Sequence, residues 1–437
     1  MTSFPMLPDL PDGIYFGLPE EIYHALPRIG SGGITDLLIS PATFWKGSWL
    51  NPKAAEERAA RAIRALPELG DDPAPELVAY ADALKTIFRG APPPEPEEAT
   101  KAQLLGKAYH CARLEPHKLE SRFRRALDRA DFADLAKAKG ACWNGTQIGE
   151  ALAAAGQAKK KGDETVVDQG RRLAATGYEG VIWPLEEARF KEALGTRVAI
   201  PADLWDDMLE DADRLRQSPE VARLLAGGEA EVAVLYTGPG GIRRKAKFDV
   251  LKLDSWADLK TFANPVGKNL RQLLSETFRY GRHYIQAIDY RVAVEMLRAN
   301  ALPIVGEATD DQRKLIAQLA IRPDELACWY VYQEKGGVPN ILARRVRFFD
   351  VPQSVQTQNT MVEAAGFSDA EGIARVEEAT RTRTLFHVRG AGEIDKALRD
   401  FAFHSEIYRP GRPWLTIDAT GEFTDDDFPA FWLDERI

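Results

Sequence analysis

Two short runs of the sequence, Lys247-Phe248-Asp249-Val250-Leu251-Lys252-Leu253 and Ala257-Asp258-Leu259-Lys260-Thr261, predict a pair of β-strands. A chain reversal between the runs makes the strands antiparallel neighbours, with Asp249 opposite, or within one pair of, the segment from Asp258 to Lys260. Because side chains alternate along a strand, Asp258 and Lys260 project to one face while Leu259 points into the core. We therefore expect two carboxylates and an ammonium in one small region.

These side chains suit a divalent cation. The carboxylates of Asp249 and Asp258 are hard oxygen ligands of the kind that Mg²⁺ or Mn²⁺ prefers, and the backbone carbonyl of Leu259 is a further candidate ligand. The alternative is an exposed hairpin with an ordinary salt bridge, because ion pairs are common and short motifs match by chance. The choice between the two depends on the rest of the chain.

The composition indicates a large folded protein. The chain has 437 residues, of which 45% are hydrophobic and 28% charged, enough for one catalytic core with additions. Its net charge of −9 argues against a uniformly basic surface. The sequence nevertheless contains three groups of cationic residues: Arg243-Arg244-Lys245 with Lys247, Arg279 with Arg282, and Arg344-Arg345 with Arg347. These groups either concentrate positive charge near the predicted strands or lie on ordinary solvated faces.

The sequence contains no apolar run of membrane-spanning length and no basic start followed by an apolar stretch, so we expect a soluble, cytoplasmic protein. Three scattered cysteines, Cys111, Cys142 and Cys328, do not form paired motifs. They predict neither a disulfide framework nor a structural zinc or iron–sulfur site.

The remaining elements predict an α/β fold with a mixed sheet. A helix is expected from about Thr100 to Leu119 and an apolar strand from Glu229 to Tyr236. The paired strands follow, then helices near residues 267–279 and 282–299, and two later strands at about 326–334 and 341–349. Further helices are expected in the stretches 51–99 and 120–225.

Four motifs lie on these elements in a characteristic order. They are Glu231 on the first strand, Asp249 on the second, Asp258-Leu259-Lys260 on the third, and Gln286-x-x-x-Tyr290 on the helix that follows. Before them, Gly106-x-x-x-His110 lies on the predicted helix. This arrangement resembles the PDDEXK restriction-endonuclease-like core, and the two spaced motifs resemble those of its RecB-like exonuclease branch.

Within that branch the chain resembles the exonuclease VIII (RecE-type) domain over roughly residues 13–350, through Tyr23-His24, Ser40-Pro41-Ala42, Gly106 to Pro116 and Tyr280 to Tyr290. This chain is longer than the family pattern at 49–100 and 119–200. Composition and patterning, together with the resemblance, divide the chain into an N-terminal helical segment with an insertion and a Pro-rich linker (1–99), a nuclease core with a helical insertion at about 120–225 (100–350), and a C-terminal helical segment with an acidic tail (351–437).

The resemblance also implies roles for individual residues. Catalytic roles fall to Lys260, Asp249, Asp258, Glu231, Gln286 and Tyr290, and metal binding to His110, Asp249, Asp258 and Leu259. Independently of the resemblance, the charge of Arg279 and Arg282 makes these two residues candidates for contacts with DNA phosphates. Each has a plainer alternative. His110 could be a satisfied core histidine, Glu231 the polar end of a buried strand, and Gln286 with Tyr290 ordinary helix packing. Trp256 could stack on a DNA end or pack in the core.

The implied activity is that of an Mg²⁺- or Mn²⁺-dependent exodeoxyribonuclease acting 5′ to 3′ from ends of double-stranded DNA. It would leave single strands for a RecT-like annealing partner and would form a homo-oligomer. The sequence lacks a Gly-x-x-x-x-Gly-Lys-[Ser/Thr] loop, which favours ATP independence. The alternatives are a structure-specific or restriction-like endonuclease, a non-catalytic DNA-binding or assembly protein, and an α/β protein unrelated to nucleic acid.

Overall fold

The computed structural model describes residues 6–70, 73–88, 101–195, 197–299, 302–321, 326–335, 340–350, 382–408 and 411–414. The predicted Pro-rich linker and acidic tail lie outside these ranges. Among the described helices, none is both long enough and apolar enough to cross a membrane.

The strands are β1 (Gly13–Tyr15), β2 (Phe123–Arg125), β3 (Ala141–Cys142), β4 (Val181–Ile182), β5 (Val198–Ile200), β6 (Glu229–Thr237), β7 (Arg243–Leu251), β8 (Ser255–Phe262), β9 (Ala327–Glu334), β10 (Ile341–Val346), β11 (Phe349–Asp350) and β12 (Thr382–Arg383). The helices are α1 (Glu20–Ala25), α2 (Ser31–Ile39), α3 (Pro41–Gly47), α4 (Pro52–Ala65), α5 (Pro75–Ile87), α6 (Lys101–Leu114), α7 (Pro116–Arg122), α8 (Ala133–Lys139), α9 (Gly145–Ala154), α10 (Val166–Ala174), α11 (Trp183–Leu194), α12 (Ala202–Gln217), α13 (Pro219–Leu225), α14 (Leu270–Tyr280), α15 (His283–Arg298), α16 (Asp310–Ile321) and α17 (Leu385–Ile407).

The chain divides into two compact units. The first unit combines residues 1–97 with residues 227–437, and the second consists of residues 98–226. The first unit contains a six-stranded sheet in the order β1-β6-β7-β8-β9-β10. Its neighbouring strands are antiparallel except for β8 and β9, which are parallel. The predicted mixed α/β fold is confirmed, and the predicted strands and the two helices after β8 are present within a few residues of their expected bounds.

Strand β6 shows why this sheet is buried on both faces. Val232, Val234 and Tyr236 point into one apolar cluster, and the alternating Ala233 and Leu235 point into another. The first cluster includes side chains of α2, α14, α15 and α17, and the second includes side chains of α1, α4 and α5. Successive side chains of a strand point to opposite faces, and here the side chains on both faces are apolar. The strand is therefore covered by helices on both sides.

The second unit differs from its prediction at one helix. The helix expected from Thr100 to Leu119 is broken at Glu115 into α6 and α7. Pro116 is the cause, because proline disfavours helical dihedrals at the preceding residue and lacks the backbone donor that would continue the helix. The unit's own cores include Ala108, Ala112 and Met208 in one cluster and Ile148 with Leu152 in another.

Candidate metal centre

The centre begins where the ladder between β6 and β7 is interrupted. Ala230 pairs with Val250 and Val232 with Phe248, so Glu231 and Asp249 face each other between two regular pairs. Glu231 has a φ of 58°, a left-handed conformation that is uncommon for a side-chain-bearing residue. Such a conformation costs about 1–3 kcal/mol and tends to occur at functional sites.

A second interruption separates β7 from β8. The two strands pair only at Val250 with Ala257 and at Leu251 with Trp256. Near the start of β7, the backbone of Ile29 takes the place of β8. Its N–H donates to the Arg243 carbonyl and its carbonyl accepts from Lys245 N, both at 3.0 Å. The Asp249 side chain bridges the resulting gap by accepting from Leu259 N at 2.7 Å.

The carboxylates of Glu231 and Asp249 are close enough to share one cation. An oxygen of each lies within 4.8 Å of the other. Two ligands of one ion are separated by at most about twice the metal–oxygen bond of about 2.1–2.4 Å, so this separation suits a common ion. Lys247 Nζ lies 2.5 Å from Glu231 Oε2 and balances its charge in the structure described here. The donor set therefore fits a hard divalent cation.

Asp258 is held from both sides. Its side chain is nearly buried, with Lys260 Nζ 2.5 Å from Oδ1 and Gln286 Nε2 donating to Oδ2 at 2.5 Å. The Tyr330 hydroxyl donates to the His283 carbonyl at 2.8 Å, and its oxygen lies 3.4 Å from Gln286 Oε1. One carboxylate oxygen thus forms an ion pair with a lysine on the same strand, and the other accepts a hydrogen bond from an amide on α15.

Electrostatics keep Lys260 charged in this setting. Burial favours the neutral amine, but the carboxylates of Asp258 and Asp249 outweigh burial and raise the pKa of Lys260. His283 shows the opposite balance, because burial and the Lys260 ammonium lower the pKa of His283 to about 4. The centre therefore combines a charged lysine with a neutral histidine near pH 7.

Tyr290 lies one turn after Gln286 on α15 and is buried against Phe248, with the ring centres 5.0 Å apart. Burial raises the pKa of Tyr290, and the negative charge of Asp258 raises it further. The first unit therefore brings together Glu231, Asp249, Asp258, Leu259, Lys260, Gln286 and Tyr290. His110 lies on α6 in the second unit, and its role stays a prediction from its motif.

The chain shows little similarity to known proteins. No family model matches it, and no curated protein matches its sequence. Among solved structures it is similar to a crystal structure of a protein from Eubacterium rectale that is provisionally assigned as an exonuclease. The sequence identity is 14%, with 59% of this chain and 89% of the other covered. The TM-score of 0.24 is too low to carry an inference about this chain.

The expectation that all three cation groups lie at the surface is wrong, and the burial of one aromatic residue decides between its two alternatives. Arg244 and Lys245 are buried and do not contribute to a basic surface. The Lys245 ammonium donates to the backbone carbonyls of Tyr23, His24 and Leu26, which satisfies its three hydrogens inside the protein. Of the two alternatives for Trp256, the structure shows packing in the core, because its side chain is buried against Phe248 and Phe348.

The structure also adds a residue that the sequence interpretation missed. Asp289 on α15 is completely buried and forms an ion pair with Arg244 of β7. The Tyr236 hydroxyl lies 3.4 Å from the same carboxylate oxygen. This pair attaches α15 to the sheet between the two motif residues Gln286 and Tyr290. A carboxylate on the apolar face of a predicted helix was the available signal.

Proposed function

We propose that this chain is a metal-dependent nuclease that hydrolyses phosphodiester bonds of DNA. The observation that carries the proposal is the pair of carboxylates Glu231 and Asp249 on β6 and β7, with Asp258 and the Lys260 ammonium on the neighbouring strand β8. Hydrolysis of a phosphodiester requires an activated water, neutralised phosphate charge and a stabilised leaving oxygen. A bound Mg²⁺ or Mn²⁺ supplies these as a Lewis acid.

The proposed ligands follow from the donor atoms. Asp249 and Asp258 would provide carboxylate oxygens, and the Leu259 carbonyl would complete the donor set on β8. Glu231 would bind either directly or through water, because its carboxylate faces Asp249 across the strands. The proposal that His110 is a further ligand rests on its Gly-x-x-x-His motif.

The remaining residues would act on water and substrate. Lys260 Nζ lies beside Asp258 and can hold the attacking water or meet charge that develops on the phosphate. Gln286 would keep Asp258 in the orientation for ligation by its hydrogen bond to Oδ2. Tyr290, one helical turn farther on, would brace Gln286.

We further propose exonuclease action on ends of double-stranded DNA, without ATP and in the 5′ to 3′ direction. Support for this finer assignment comes from the motif resemblance, as does support for a homo-oligomer and for a RecT-like annealing partner that receives the single strand. An endonuclease on the same core, or a DNA-binding protein without catalysis, would use many of the same residues. The substrate topology and metal dependence distinguish these three functions.

The test uses linear duplex DNA labelled at the 5′ or the 3′ end, and covalently closed circular DNA, each with Mg²⁺ or EDTA. We expect Mg²⁺-dependent loss of linear DNA and no cutting of circles. The 5′ label should be released earlier than the 3′ label. Lys260→Met removes the ammonium but keeps much of the side-chain volume, and we expect it to abolish degradation. Lys314→Met on exposed α16 is the matched control and should retain activity.

Circular dichroism establishes that the Lys260→Met protein is folded, since this change leaves the buried Asp258 with one partner fewer. Cutting of closed circles would replace the exonuclease assignment with an endonuclease. Full activity of a folded Lys260→Met protein, or degradation that persists in EDTA, would contradict the proposed centre. DNA binding without hydrolysis under any divalent metal would favour the non-catalytic alternative.

A further inference from the structure

A basic groove lies on the first unit beside the start of α15. Its cavity has a volume of about 440 Å³. Arg279 and Arg282, from the end of α14 and the residue before α15, line one side, and Arg389 with Lys396 of α17 line another. We call this cavity the α17 groove. Its volume lies in the range of about 300–1,000 Å³ that accommodates a ligand of nucleotide size.

The α17 groove has an excess of positive charge in an acidic protein. Its four cationic side chains face one carboxylate, Glu393, while the whole chain has a net charge of −9. The Glu393 carboxylate accepts from Arg389 Nε at 3.1 Å and from the Tyr284 hydroxyl at 2.7 Å. Within the described residues, neither Arg282 nor Lys396 forms an ion pair. The groove therefore has cationic groups available for an anion.

An exposed aromatic ring accompanies these cations. Tyr280 lines the groove and is 74% exposed, with the Arg279 guanidinium 5.6 Å from its ring centre. A large exposed ring with a cation beside it provides a face on which a nucleobase can stack without sequence preference. A duplex, whose bases are already stacked on one another, could not use that ring in the same way.

The turn that presents these groups is strained and tightly packed. Arg282 adopts left-handed dihedrals, with φ 50° and ψ 34°. At Gly281, a Cβ atom would lie 2.7 Å from the Thr277 carbonyl oxygen, so a larger residue does not fit without movement. Strain of this kind is retained where the surrounding structure and function require it. The turn holds Tyr280 and Arg282 in one fixed relation on either side of Gly281.

We propose that the α17 groove binds single-stranded DNA, with phosphates on Arg282, Arg389 and Lys396 and a base stacked on Tyr280. The groove adjoins the end of α15 from which Gln286 reaches Asp258, so a strand held there would lie close to the candidate metal centre. Its role in handling the strand during DNA degradation rests on the proposed function, whereas the binding itself requires no hydrolysis.

The first test measures binding of a fluorescein-labelled oligothymidylate to the full chain in EDTA by fluorescence anisotropy. We expect Arg389→Ala with Lys396→Ala to weaken binding at least tenfold. The magnitude of the negative slope of log affinity against log salt should decrease by about 1.4. Each phosphate contact with a single strand contributes about 0.7, and the double variant removes two contacts. Arg399→Ala, an exposed cation of the same helix outside the groove, is the matched control and should bind as the unaltered protein does.

The second test separates stacking from charge. Tyr280→Ala should weaken binding roughly fivefold or more and leave the salt slope unchanged, while Tyr280→Phe keeps the ring and should retain affinity. Unchanged affinity in the α17 double variant or in Tyr280→Ala would overturn the proposal. Competition by closed circular duplex DNA or inorganic polyphosphate as strong as that by unlabelled single strand would also overturn it.

The two proposals fail in different ways. A protein that degrades DNA with Mg²⁺ but does not bind the oligonucleotide in EDTA would overturn the groove assignment alone. A protein that binds the oligonucleotide through the α17 groove but hydrolyses no DNA would sustain the groove assignment and refute the proposed nuclease.

Discussion

Asp258 is the residue with the most constrained environment in the candidate centre. Its carboxylate is nearly buried, and such a charge is stable only when its oxygens have partners. Lys260 supplies one partner through an ion pair, and Gln286 supplies the other through a hydrogen bond. Gln286 is therefore a positioning residue, and its effect on hydrolysis is exerted through Asp258.

Gln286→Ala should lower the rate of DNA hydrolysis by about 10- to 100-fold and raise the Mg²⁺ concentration needed for half-maximal rate. The physical reason is that one Asp258 oxygen loses its donor, so the carboxylate is no longer held in the geometry for ligation. Steady-state rates over a Mg²⁺ titration measure both quantities in one experiment.

Gln272→Ala is the control for this change. Gln272 is an exposed glutamine on α14 whose amide contacts Glu276, away from the candidate centre. Its removal should alter neither the rate nor the Mg²⁺ dependence. If Gln286→Ala also leaves the Mg²⁺ dependence unchanged, the assigned positioning role is wrong.

At the scale of elements, α15 is attached to the sheet by a buried charge pair. Asp289 on the helix and Arg244 on β7 are 45 residues apart in sequence and meet in the interior. Removal of one member of a buried pair leaves the other charge without compensation, which is more costly than the loss of a surface pair. The pair therefore matters for stability and for the placement of Gln286.

Asp289→Ala should reduce the free energy of unfolding by about 3–5 kcal/mol, because the Arg244 guanidinium stays buried without its carboxylate. The combined change Arg244→Met and Asp289→Leu should recover most of this loss, since no buried charge remains. Urea denaturation of the single and double variants, followed by circular dichroism, measures both effects.

The surface pair between Arg291 and Glu295 on the same helix serves as the comparison. Glu295 is 51% exposed, so Glu295→Ala should cost less than about 1 kcal/mol. Equal losses for Asp289→Ala and Glu295→Ala would show that the buried pair does not secure α15.

At the scale of the whole molecule, His283 makes stability depend on pH. Its pKa in the folded protein is lowered to about 4, whereas an unfolded histidine has a pKa of about 6.5. Between these values the unfolded chain binds more protons than the folded chain, so stability falls as the pH falls from about 6.5 toward 4. The neutral imidazole ring of His283 forms a hydrogen bond between its Nδ1 and the Tyr332 hydroxyl at 2.9 Å.

His283→Gln should reduce by about 2 kcal/mol the loss of unfolding free energy that accompanies a change from pH 7 to pH 5, because its amide does not titrate. Urea denaturation at the two pH values, with and without the substitution, measures this difference. His117→Gln, on α7 of the second unit, is the control. An identical pH dependence in the His283→Gln protein would contradict the lowered pKa.

Much of the architecture could be predicted from local patterns. Alternation around Asp249 and Asp258 indicated β7 and β8, and helical spacing indicated α14 and α15. Strand β1 and the strands β2 to β5 were not predicted, because runs of two or three residues contain too little alternation to be distinguished from loops.

The sequence by itself determined the mixed α/β fold, the position of each motif residue on its strand or helix, and the acidic character of the candidate centre. These follow from the alternation and helical spacing of residues, which act over short stretches of the chain. The tertiary structure decided the left-handed turn at Glu231, the burial of Lys245 and the pairing of Arg244 with Asp289. It also brought α17 to the start of α15, where the Tyr284 hydroxyl donates a hydrogen bond to Glu393, which is 109 residues away in sequence. Such contacts depend on which surfaces pack together, and no local pattern contains that information.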